Sequence, residues 1–158
     1  MRKQKASTPF LLGVFAALLA CTSHTLAADE AGTVKTLKGT ATIERNGSKA
    51  PATIGSRIQT SDRISTGAES SIGITLRDNT LLSAGPNAVL ELKQFAFNPT
   101  THAGTIDATV RRGSLGVISG KIAKASPEQV SFNTPSVSLG VRGTEFILEA
   151  GERGSAED

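Results

Sequence analysis

The chain has 158 residues, with 17 Lys and Arg against 14 Asp and Glu, two histidines, one cysteine and no Trp or Tyr. Its formal charge of +3 comes from the N-terminus: Arg2, Lys3 and Lys5 lie in the first 28 residues, which hold no acid, and the remainder carries equal numbers of basic and acidic residues. That balance argues against nucleic acid or an anionic membrane as partner, and the sole cysteine, Cys21, leaves everything downstream without disulfide or thiolate chemistry.

The three basic residues precede an apolar run from Phe10 to Ala20, the layout of a secretory signal. A membrane-spanning helix needs about 20 apolar residues, so the run is short for a lasting anchor. Residues 1–28 are read as a signal peptide, 29–150 as one β-domain and 151–158 as a polar tail. Thr25-Leu26-Ala27 offers small residues at a general cleavage site, whereas Leu18-Leu19-Ala20-Cys21 resembles a lipobox. Under the second reading Cys21 carries lipid, the one route to a membrane.

After the leader, Val34, Leu37, Ala41 and Ile43 form two short strand-like pieces divided by Gly39, and Asn46-Gly47 supplies a turn. Ile58 and Ile64 flank a break at Ser61-Asp62. Ile72, Ile74 and Leu76 alternate with Gly73, Thr75 and Arg77, the period of a strand with one face in the core. Asp78-Asn79 turns the chain into Thr80–Ala84, predicting a hairpin, and Gly85-Pro86-Asn87 ends it. The segment from Ala88 to Phe97 fits a helical stripe or a strand; breakers at both ends favour the strand. Asn98 to Gly104 is a polar loop. Ile106, Ala108 and Val110 predict another strand, with Arg112-Gly113 turning into Leu115–Ser119 as a second hairpin.

Lys121 to Glu128 is expected to be a connection with at most one helical turn. Val130, Phe132 and Thr134 form a strand that runs to Pro135, which must lie at a strand end or an edge because proline cannot donate to a ladder. Val137, Leu139 and Val141 resume on one face, and Thr144 to Ala150 is the last strand. Phe132 and Phe146 are expected in the core. About a dozen short strands without an amphipathic helix predict an all-β fold, either a sandwich or roll or a short solenoid-like stack.

The order of these pieces resembles the FecR family. Gly55 precedes Asp62-Arg-Ile-Ser-Thr-Gly67, then come Leu76-Arg-Asp78-Asn-Thr80, Gly85-Pro86-Asn87, Arg112-Gly113-Ser-Leu115, Thr134-Pro135 and Val141-Arg-Gly-Thr-Glu-Phe146. The resemblance implies an all-β periplasmic module; its best-known relatives relay the state of an outer-membrane receptor to a sigma factor. This chain looks like a short stand-alone relative, expected to lack the cytoplasmic anti-sigma segment. Asn79 stands where the family commonly has glycine, a mild change because asparagine also accepts the left-handed conformation.

Catalytic chemistry has little to work with. His102 is the one histidine after the leader and sits in a loop, and no nucleophile elbow, metalloprotease helix or phosphate-binding loop occurs. Asp62, Asp78, Asp107 and Glu145 fall in separate turns and strands, where turn geometry and solvation account for them. No cofactor is expected. Arg111-Arg112-Gly113 and Arg142-Gly143 admit two readings: a guanidinium fork for a partner's carboxylate or carbonyl, or arginines tying a bend to backbone carbonyls, which is the commoner use of glycine beside a strand. Arg111, Arg112, Arg142 and Glu145 are thus the candidate interaction residues. The expectation is a non-catalytic module that binds an envelope protein, with a small-ligand or ion-binding sensor as the alternative.

Overall fold

The structure, a computed structural model, describes residues 30–140 and 145–151. The signal-peptide reading, Cys21 and Arg142 lie outside the described residues. Twelve strands follow one another: β1 (Glu30–Lys38), β2 (Ala41–Arg45), β3 (Ser48–Pro51), β4 (Arg57–Gln59), β5 (Arg63–Thr66), β6 (Ser71–Leu76), β7 (Leu81–Ala84), β8 (Val89–Phe97), β9 (Gly104–Ile118), β10 (Val130–Asn133), β11 (Ser138–Gly140) and β12 (Glu145–Ala150). Between β9 and β10 lie α1 (Lys121–Ala125) and a 3-10 turn at Pro127–Gln129, one element more than the single helical turn expected there.

All strands belong to one sheet that curls into a half-barrel, so the fold is an all-β single domain. Strand β9 organises it. Its first half pairs with β8 on one side and, in parallel, with β10 on the other. Its second half lies between β7 and β12. The sheet therefore has two flanks: β4, β1, β6, β7 and β12 around the end of β9, called here the β6 flank, and β3, β2, β5, β8, β10 and β11 around its start, the β8 flank.

The inner faces share one core. Ile72, Ile74, Leu82, Leu115, Val117 and Leu148 from the β6 flank are buried with Ile64, Leu90, Leu92, Ile106, Val110 and Phe132 from the β8 flank. Alternation produces this arrangement, because successive side chains on a strand point to opposite faces and only one face of each flank is covered. Burying one such side chain contributes about 2 kcal/mol. Phe132 is fully buried, as expected, whereas Phe146 is only half-buried and packs edge-on against it at 5.4 Å between ring centres.

The β6–β7 hairpin forms with Asn79 at φ 69, and the segment read as a strand from Ala88 is one from Val89 to Phe97. The hairpin expected at Arg112-Gly113 does not form. Residues 104–118 run as one strand whose pairing with β8 slips between Val89 and Leu90, leaving an extra residue at Arg111. Gly113 then takes φ 79 and turns β9 from one flank into the other. A side chain there would be strained by the backbone angle, and its Cβ would stand 2.6 Å from Ala88 Cα. A bulge followed by a left-handed glycine sharpens the bend of a strand without reversing it. Val137 and Leu139, expected to resume on one face, are both exposed, Leu139 on the short edge strand β11 and Val137 just before it.

Candidate interaction surface

The carboxylates of the family-like motifs are structural. Asp62 is fully buried, and its two oxygens accept from Arg45 Nε at 2.7 Å and Nη2 at 2.6 Å, and from the Gln59 amide at 2.8 Å. Arg45 also donates to the Arg57 carbonyl, so the pair joins β2 to the β4–β5 turn. This hydrogen bonding to Asp62 outweighs burial and raises the pKa of the Arg45 guanidinium. Asp78 is likewise fully buried. It accepts from the Thr80 amide at 3.0 Å and hydroxyl at 2.7 Å and from the Ile122 amide at 3.3 Å, while its carbonyl receives the Lys121 amide. The hairpin turn and the start of α1 are thus held by one side chain. Solvation, expected for both carboxyl groups, is replaced by hydrogen bonding, the condition for burying a polar group.

The outer faces of the two flanks differ in kind. Across the β8 flank one row of directly opposed residues reads Lys49, Glu44, Arg63, Glu91, Thr109 and Asn133. Glu91 accepts from Arg63 Nε at 2.8 Å and from Arg111 Nε at 2.9 Å. Burial pushes the Glu91 carboxyl up, but these two guanidinium groups outweigh it and hold the pKa below its ordinary value. Arg63 is raised in turn by its bond to Glu91. Asn133 Nδ2 donates to Asp107 Oδ1 at 2.9 Å, closing the row's far end. A hollow of about 370 Å³ is lined mainly by polar residues, of which Arg63 and Glu91 bond each other.

Across the β6 flank the opposed rows are different. One reads Glu145, Ile118, Leu81, Thr75 and Thr33; the next reads Ile147, Gly116, Ser83, Gly73 and Thr36. Small residues occupy the middle of the second row, so a trough of about 360 Å³ crosses the strands. Three apolar residues on its rim are exposed, Leu81 by 41%, Ile118 by 44% and Ile147 by 73%, and Lys35 and Glu145 also line it.

Among the described residues, the expected site residues do not converge. Arg111 is bound to Glu91, and Arg112 Nε donates to the Asn87 carbonyl at 2.9 Å, the loop-tying arrangement expected of an arginine beside a bend. Glu145 opposes Ile118, five positions along β9 from Gly113, which is about 16 Å. Among the described residues no group of three or more His, Cys, Asp or Glu comes together, and no helix is long and apolar enough to cross a membrane. His102 lies exposed at φ 61 with its ring stacked on Phe97.

Leu81, Ile118 and Ile147 were legible only as departures from alternation. Each stands beside a buried apolar neighbour, in Leu81-Leu82, Val117-Ile118 and Ile147-Leu148, and two adjacent apolar residues on a strand must place one on the outer face.

No curated protein matches the chain. Among solved structures, one described as a cell surface anchoring domain is 25% identical, over 40% of this chain and 84% of its own length, with a TM-score of 0.39. The family model described as FecR protein matches residues 62–157, from the buried Asp62 through β12 and beyond. The chain belongs to the FecR family.

Proposed function

We propose that this chain is an exported, non-catalytic module of the bacterial envelope that works in the periplasm by binding another protein, in the service of envelope signalling. The observation that carries the reading is the outer face of the β6 flank, where Leu81, Ile118 and Ile147 are exposed around a floor of Gly116, Ser83 and Gly73. Water contact with adjoining apolar side chains is unfavourable, and a contiguous apolar patch on a stable fold marks a contact surface. Family membership supports the envelope setting, since FecR domains are typically periplasmic. The sensor alternative has a weaker basis, because in the polar hollow beside Arg63 and Glu91 those two charges already pair with each other.

Photo-crosslinking in intact cells tests the reading. A benzophenone side chain placed at Ser83, on the floor of the trough, should yield a discrete adduct with an envelope protein. The same probe at Thr42, exposed on the outer face of the β8 flank, should yield none. Absence of an adduct from position 83, or equal adducts from both positions, would overturn it.

A further inference from the structure

Each flank ends in edge strands, and three of the four edges are blunt. β4 and β11 have three residues each, and β3 has four and ends at Pro51. Short edges and proline limit strand addition. The fourth, β12, has six residues; it pairs with β9 on one side, and among the described residues no strand pairs with the other. Alternate residues of such an edge direct N–H and C=O outward, ready to extend the ladder.

The side chains of β12 say what could extend it. Phe146, Leu148 and Ala150 turn inward, while Glu145, Ile147 and Glu149 are exposed on the outer face. The two carboxylates stand four residues apart, about 13 Å, with Ile147 midway. Neither forms an ion pair among the described residues. Arg111 and Arg112 line a hollow with Glu149, but Arg111 is bound to Glu91 and Arg112 to the Asn87 carbonyl.

We propose that the open edge of β12 receives an extended segment of the partner protein carrying Lys or Arg at two positions four residues apart, with an apolar residue between them. The proposal rests on the protein-binding reading above and specifies its partner's chemistry. Directly opposed side chains on paired strands lie about 5 Å apart, close enough for each basic group to meet a carboxylate while the apolar residue covers Ile147 and lengthens the apolar rim. The pattern is symmetric, so it suits either strand direction. A second copy of this chain is a poor occupant. Antiparallel pairing centred on Ile147 would oppose Glu145 to Glu149 twice, and like charges directly opposite destabilise a pair.

The test uses two peptides, TKTVTKT and TETVTET, titrated by fluorescence anisotropy against the wild-type protein and the double variant Glu145→Lys, Glu149→Lys. Both altered positions are exposed, so the melting midpoint should be unchanged. Wild type should bind the basic peptide at least tenfold more tightly, and the variant should reverse the preference. N-methylation of alternate peptide amides should abolish binding. Equal binding of both peptides, no binding at millimolar concentration, or a preference that the variant does not reverse would overturn the proposal. So would sedimentation as a dimer that the double variant disrupts, which would make a second copy the occupant. In cells, an adduct from position 83 that persists in the double variant overturns the edge proposal alone, whereas no adduct from either protein overturns the broader reading with it.

Discussion

The outer faces of the two flanks are built by the same alternation, from strands that share β9, yet one is covered by its own side chains and the other is not. On the β8 flank Arg63 and Arg111 both bond Glu91, which opposes Thr109, and Asn133 bonds Asp107. On the β6 flank the central positions are Gly116, Ser83 and Gly73, and the exposed apolar residues of the rim are Leu81, Ile118 and Ile147. The difference teaches that solvation of this fold is not uniform by necessity. A sheet face can satisfy itself with crossed ion pairs, and where it does not, the cost of the exposed apolar rim is recovered when something binds.

The joint between the flanks is where the comparison can be broken most severely. Gly113→Val forces a β-branched residue to φ 79 and drives its side chain into the Ala88 backbone. Left-handed strain and overpacking together cost roughly 3 kcal/mol or more. Urea unfolding should show a correspondingly lower midpoint, and a midpoint within error of wild type would mean that Gly113 does not set the turn from one flank to the other.

How far the sequence discloses this arrangement can be judged residue by residue. Strands with clean alternation, such as β6 with Ile72, Ile74 and Leu76, are readable because burial on one face imposes a period of two. The continuity of β9 is not readable, since Arg112-Gly113 looks the same locally whether glycine reverses the chain or bends it. What decides is Ala88, far away in sequence, lying against the glycine. Asp62 and Asp78 were legible as turn residues, but their burial depends on Arg45 and on the start of α1, neither of which is adjacent. The arginines drew attention through their charge and proved to be tied to Glu91 and Asn87. The trough was hidden because its floor is made of glycines and a serine, whose importance is the absence of a side chain.

A smaller effect should separate the polar face from the core beneath it. Glu91→Gln removes the carboxylate shared by Arg63 and Arg111 and should cost about 1 kcal/mol or less, because both arginine side chains remain about half exposed to screening solvent. The pH dependence has a defined sign. The Glu91 pKa is lowered by folding, so its contribution is present above the carboxylate range of the unfolded chain, near pH 4, and is lost as pH falls through the lower folded value. Wild type and variant should therefore differ at neutral pH and converge in acid. A difference that persists at pH 2 would assign the effect to packing instead of charge.

The smallest effect on the fold is expected where the effect on binding should be largest. Gly116 has no left-handed φ, and a Cβ added to it meets only Ser83 Cβ and carbonyl oxygen at 3.8 Å, an ordinary contact. Gly116→Val should therefore leave the unfolding midpoint unchanged or raise it slightly, since valine suits a strand better than glycine by up to about 1 kcal/mol. It would nevertheless fill the middle of the trough between Leu81, Ile118 and Ile147. Gly73 does not allow the same experiment, because a side chain there runs into Thr36 Oγ1. A folded Gly116→Val protein that loses the adduct from position 83 would show that the uncovered face makes the contact. Retention of that adduct at the wild-type yield would show that the partner lies within reach of position 83 without entering the trough beside Gly116.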